Sequence, residues 1–219
     1  MVVDGAGPQA GYRGGLMPRR SRSAVLLATA LSLLMATPAS SAGTTVVEMR
    51  TLSYSPAKVT FQAPGSTIRW RNMTSPNRLH DVVSSLPDLF GSQLLGSGQS
   101  YRFTFATAGS FTYICTIHDV MLGRVEVAPT VTVASDGAGS RLIVTVATTR
   151  FAVDSPYRSN VFLKGPGDAT FRWRKSTRGR IVQVPVDQPG DWTVMVRVRH
   201  RPTGTPSSDS PSVTVTVPA

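Results

Sequence analysis

From Thr44 onward the apolar residues recur at every second position in short runs and almost nowhere with a helical period, and clusters of Gly, Pro, Ser and Asn separate the runs. A chain patterned this way can hide its apolar side chains only on the faces of strands, so the fold class is all-β. Runs at 45–50, 58–62, 67–72, 80–84, 101–107, 110–115 and 124–128 form a first series. Seven short strands in about 85 residues predict a sandwich. The stretch 85–100, with Pro87, Gly91, Gly96 and Gly98, is predicted to be a loop with one helical turn. After Pro129 a second series follows at 130–134, 141–148, 160–164, 170–174, 180–186, 191–199 and 212–217. It predicts a second sandwich of similar size. The expected division is therefore 43–128 and 129–219, with a linker so short that the two modules should pack against each other and move little.

The first 42 residues follow a different rule. Arg19, Arg20 and Arg22 precede an apolar run from Ala24 to Ala36, and Pro38, Ser40 and Ala42 close it. That is the order of a secretory signal peptide, cut after Ala42. A run of thirteen residues falls short of the roughly 20 a membrane helix needs. The reading is a cleaved leader over 1–42, with a retained anchor as the alternative and no membrane span once it is removed. Met17 is a second candidate start. The mature protein is expected outside the cytoplasm: extracellular, in the cell envelope or periplasmic.

The formal charge of +11 bears on partners rather than fold. Residues 43–128 hold 7 basic and 5 acidic side chains, and 129–219 hold 12 and 6. Arg172, Arg174, Lys175, Arg178 and Arg180 cluster, while Arg197, Arg199 and Arg201 alternate on one strand face opposite Val196 and Val198. The second half is either a solvated face or a docking surface for an acidic partner or a cell-envelope surface. Export argues against nucleic acid. His200, among Arg199, Arg201 and Pro202, is expected to be solvated.

One cysteine rules out an internal disulfide, and an exposed free thiol in an exported protein tends to oxidise. In Gly109-Ser-Phe111-Thr-Tyr113-Ile-Cys115 the large aromatics share a face with the cysteine, which places Cys115 at the buried end of a strand. The pattern then breaks into a loop carrying His118 and Met121, and alternation resumes at Val125 and Val127. Thiolate, imidazole and thioether make a soft donor set that favours copper over Mg or Ca. Of the two other histidines His80 opens a strand, and with it the set becomes two His, one Cys and a weak axial Met. A buried inert thiol and a zinc site are the competing readings, but zinc rarely takes Met.

These features resemble the cupredoxins of the plastocyanin, amicyanin and pseudoazurin group. The resemblance rests on Gly65-Ser-Thr-Ile-Arg-Trp70-Arg-Asn72, His80, Tyr101-Arg-Phe103-Thr-Phe105, Gly109 and the ligand loop, whose Cys-x-x-His-x-x-Met spacing is similar to that of amicyanin. It implies a Greek-key β-sandwich over about 44–128 holding one copper ion that cycles between Cu(I) and Cu(II). His80, Cys115 and His118 would be the strong ligands and Met121 the long axial one. It also implies an electron exit at His118 through an apolar patch, for which Leu79, Leu89, Phe90, Val120 and Leu122 are candidates. Asp81 stands where the family commonly has Asn. The run from Pro189 to Arg199 is similar to the penultimate strand of immunoglobulin-like or fibronectin-like modules.

No phosphate loop, zinc-protease helix or haem-attachment motif is present, and three histidines are too few for the oxygen chemistry of multicopper oxidases. Cys115, at the end of a core strand, does not suit a Cys–His nucleophile pair. The expectation is a non-enzyme that carries single electrons to a redox partner. A copper carrier or sensor without redox turnover, or an envelope docking or adhesion protein with an accessory copper module, are the alternatives.

Overall fold

The computed structural model describes residues 43–136 and 139–219, and the expected leader lies outside them. Among the described residues every regular element is a strand, and no helix is long and apolar enough to cross a membrane. The chain runs β1 (Thr44–Arg50), β2 (Ser53–Ser55), β3 (Lys58–Phe61), β4 (Ser66–Asn72), β5 (Val83–Ser84), β6 (Ser100–Phe105), β7 (Gly109–Cys115) and β8 (His118–Val127). It continues β9 (Thr130–Asp136), β10 (Gly139–Thr145), β11 (Tyr157–Lys164), β12 (Arg172–Thr177), β13 (Ile181–Val186), β14 (Gly190–His200) and β15 (Val213–Val217).

The first eight strands make two sheets, β2-β1-β4-β6 and β3-β8-β7-β5. Period two decides which side chains they bury. On β7 Phe111, Tyr113 and Cys115 turn inward, and on β8 Met121, Val125 and Val127 do so, with Phe111 opposite Val125 and Tyr113 opposite Gly123. From the facing sheet come Val47, Met49, Ile68 and Trp70. Trp70, wholly buried, stacks on Phe90 at 5.8 Å and Tyr101 at 5.7 Å and meets the edge of Tyr113 at 5.3 Å. The last seven strands make sheets β13-β10-β9 and β12-β11-β14-β15. Their core is mostly aliphatic, with Leu142, Val144, Val161, Leu163, Val194 and Val196 around Trp192.

The two cores interlock, as the short linker predicted. Tyr157 and Val198 belong to the first core although they lie on β11 and β14, and Ala108 belongs to the second although it precedes β7 by sequence. The Thr107 hydroxyl donates to the Val146 carbonyl at 3.1 Å and lies 3.1 Å from the Ser159 hydroxyl, while the Ala108 N–H donates to Val146 at 2.8 Å. The Tyr157 hydroxyl donates to the Pro87 carbonyl. Full burial of a valine is worth about 1.5–3 kcal/mol, so Val198 alone makes the first sandwich energetically dependent on the second.

Several expectations are corrected. No helical turn occurs in 85–100; that segment folds back on itself through bridges His80↔Leu95 and Val83↔Gly91, which satisfy its backbone without helical bonds. Strand β8 begins at His118 rather than near 124, because a two-residue turn at Thr116 and Ile117 suffices to reverse the chain. Outward Val120 and Leu122 hide this strand in the sequence, since they break the apolar-in, polar-out alternation. Phe90 is not a surface residue but packs beneath Trp70. His200 is buried rather than solvated, its Nδ1 2.8 Å from the Thr203 hydroxyl and its ring 5.3 Å from that of Tyr157.

Candidate metal centre

Three of the four residues singled out from the sequence converge. The ligand-capable atoms of His80, Cys115 and His118 all lie within 4.8 Å of one another. Cys115 Sγ is 3.3 Å from His118 Nδ1 and 3.9 Å from His80 Nδ1, and the two rings are 4.7 Å apart. Cys115 ends β7, and His118 opens β8 directly opposite it, so the hairpin itself delivers sulfur and nitrogen to one point. A register shift between Ile114 and Cys115 adjusts the end of the strand to this purpose. His80 arrives from the other side on a segment paired with Leu95. Met121, three residues past His118 on β8, is fully buried in the same core cluster as Cys115.

The cage is braced from outside by Asp81, already marked in the sequence, together with Thr116, Tyr54 and Ser92, which the sequence does not single out. Asp81 Oδ1 accepts the Thr116 N–H at 2.6 Å and Oδ2 accepts the Thr116 hydroxyl at 2.5 Å, which ties the His80 segment to the turn between Cys115 and His118. Tyr54 donates to the Asp81 carbonyl at 2.6 Å, and the Ser92 hydroxyl accepts the Val82 N–H at 3.0 Å. Buried Asn72 donates to the Arg78 and Leu95 carbonyls at 2.9 and 2.8 Å while its oxygen accepts from Thr74, fixing the chain that leads into His80. Thr116 had one visible signal, as the polar residue of the Cys–His turn facing an acidic neighbour of His80. Tyr54 and Ser92 had none, because their partners are backbone groups far away in sequence.

The electrostatics suit a cation. Burial pushes the Cys115 thiol above its ordinary range, while N–H groups of Asp81 and Ile117 pull the other way. A thiolate there is costly until a positive charge compensates it. His80 is held below its usual value, first by burial and then by His118 and Arg78, so it stays a neutral imidazole with a lone pair to give. The residues present thus fit a soft metal ion held by one sulfur and two nitrogens.

A pH dependence follows. With its folded pKa lowered, His80 takes up a proton more readily in the unfolded chain, so its contribution to stability is present above about pH 6.5 and is lost on acidification below it. Metal-free protein should lose thermal stability between about pH 7 and 5, and His80→Gln should shrink that loss. An equal loss in the variant would refute the assignment to His80.

The comparisons agree with this geometry. Residues 41–128 match the model of the family described as copper binding proteins, plastocyanin/azurin family. Amicyanin-alpha of Methylorubrum extorquens is 34% identical over 112 residues, covering 49% of this chain and 88% of the relative. Amicyanin of Paracoccus versutus is 34% identical over 86 residues, covering 37% and 63%. Among solved structures, a reduced mutant amicyanin aligns at 26% identity over 38% of this chain and 80% of the other, with a TM-score of 0.35. With the buried Cys–His–His cluster inside the matched segment and nine-tenths of a relative's length covered, the chain belongs to the plastocyanin/azurin family of copper-binding proteins.

Proposed function

We propose that this protein is an exported one-electron carrier, with His80, Cys115 and His118 as the strong copper ligands and Met121 as the weak axial one. The observation that carries the reading is the braced convergence of one Sγ and two Nδ1 atoms at a buried hairpin end. Copper bound there supplies the redox step, a single electron exchanged between Cu(II) and Cu(I). The chain's own residues do the rest. Asp81, Thr116 and Asn72 hold the donors in one arrangement, so little has to move when the charge changes. Cys115 and His80 are closed to solvent, whereas His118 is half-exposed and is the natural point of exit. Its surroundings in sequence, Ile117, Val120 and Leu122, are exposed apolar residues, Val120 to 69%. With Leu79 they offer a desolvating contact for a redox partner.

The test is the visible spectrum and voltammetry of the copper-loaded protein. Electron transfer predicts an intense thiolate-to-copper band and a reversible couple. A colourless complex that yields Cu(I) readily to a chelator would instead make the protein a copper carrier.

Asp81 provides a further prediction. A buried carboxylate tied to the ligand turn favours the more positive ion, so Asp81→Asn should raise the reduction potential. The expected rise is of order 60 mV, a tenfold shift of a one-electron couple. An asparagine keeps an oxygen for the Thr116 N–H, so the ligand cage should persist. A potential unchanged or lowered in the variant would overturn the argument.

A further inference from the structure

The outer face of the sheet β12-β11-β14-β15 carries a groove of about 590 Å³ lined by Arg158, Asn160, Trp173, Ser176, Arg199 and Arg201. Arg158 and Arg199 are direct partners across the β11–β14 ladder, and like charges so placed destabilise a sheet. Neighbouring cations are neutralised: Asp209 pairs with Arg197, and Asp168 with Arg172 at 3.0 Å. Among the described residues Arg158, Arg199 and Arg201 take part in no such pair. One guanidinium nitrogen of Arg158, Nη1, is closed to solvent and has no hydrogen-bond partner. The fold therefore gathers three guanidinium groups without a carboxylate partner around one groove, a charge that a bound anion would neutralise.

The rest of the lining narrows the kind of anion. Trp173 is 58% exposed on the same face, beside the amide of Asn160 and the hydroxyl of Ser176. A flat aromatic surface suits the C–H face of a sugar ring, while amide and hydroxyl groups suit its hydroxyls. Forked guanidinium groups take a carboxylate with two parallel hydrogen bonds. An acidic peptide fits less well. The groove lies across the face of the sheet, where β11 has spent its backbone groups on β12 and β14, so no strand can be added there.

We propose that this groove binds a uronic-acid-bearing glycan, with a sugar ring on Trp173 and its carboxylate between Arg158 and Arg199. Arg201 would meet the carboxylate of a following unit. The site is separate from the copper centre and stands or falls without it.

The experiment is calorimetric titration of the full chain with a galacturonic acid tetramer, a neutral glucose tetramer and a short poly-glutamate of equal charge. Binding of the uronic acid tetramer alone is expected, weakening as salt is raised. Arg199→Gln and Trp173→Ala should each weaken it about tenfold or more, the effect of losing one charge-assisted hydrogen bond or one stacking contact. Trp173→Phe should restore most of the loss; both Trp173 variants, altered on an exposed face, should unfold near the wild-type temperature, and Arg199→Gln, which relieves the repulsion with Arg158, should unfold no lower. Equal binding of the neutral tetramer would overturn the proposal. So would poly-glutamate binding as tightly and without regard to Trp173, or failure of the uronic acid tetramer to bind.

Discussion

Cys115→Ser is expected to abolish the visible colour of the copper-loaded protein and to weaken copper binding by more than about hundredfold, beyond the 10–100-fold that groups outside the ligand shell command. The reasoning starts from the thiol. Burial raises its pKa, so the site disfavours a bare thiolate and rewards the arrival of a cation beside it. A serine hydroxyl of nearly the same size does not ionise at all and is a harder donor, which leaves two imidazoles and no charge transfer from sulfur. The side chain sits at the end of β7 against its β8 partner, so metal-free Cys115→Ser should unfold close to wild type. Spectroscopy and a chelator competition on folded protein measure the effect. An intense visible band surviving in the variant would mean that the sulfur is not a ligand.

The second large effect comes from a glycine that no chemistry touches. A Cβ placed on Gly123 would stand 2.2 Å from Tyr113 Cζ and 2.4 Å from both Cε2 and the hydroxyl oxygen. Gly123 is the register partner of Tyr113 on the β7–β8 ladder, and the ring lies over the space where a side chain would grow. Tyr113 has nowhere to retreat: it is wholly buried, 4.7 Å from the ring of Tyr54 and 5.3 Å from that of Trp70. Overpacking usually costs about 1–3 kcal/mol. Here the clash involves strand backbone and a locked ring, so Gly123→Ala should cost about 3 kcal/mol or more. Because Tyr113 is two residues before Cys115 and Gly123 two after Met121, the same change should perturb the copper spectrum of whatever remains folded. Tyr113→Leu added to Gly123→Ala should recover part of the loss in urea unfolding. A single variant within about 1 kcal/mol of wild type would show that the ring can move aside.

What the sequence disclosed and what it hid divide along physical lines. The pattern of Phe111, Tyr113 and Cys115 was legible because alternation on a half-buried strand is a local property, and the spacing to His118 and Met121 is local as well. The pairing of Cys115 with His118 across a two-residue turn was not, because Val120 and Leu122 face outward and erase the alternation that announces a strand. His80 could be reached by elimination and resemblance. The brace that positions it, from Asp81 to Thr116, spans 35 residues and exists only in the folded chain. His200 was misjudged for a related reason: its sequence neighbours are arginines, but the neighbours that bury it are Tyr157 and Thr203. The Arg158–Arg199 juxtaposition is likewise a fact of register, invisible until β11 and β14 are paired.

The exchange of side chains between the two cores bears on the proposed electron transfer. Val198 and Tyr157 are set in one half and Ala108 in the other, so neither half can swing about Pro129 without opening both interiors. On the proposed exit through His118, a surface bound to the outer face of the C-terminal half would also set the height and tilt at which that ring edge meets a partner on the same surface. Tunnelling rates depend steeply on that separation. In a chain joined by a flexible tether the two halves would turn independently, whereas here each is anchored in the core of the other.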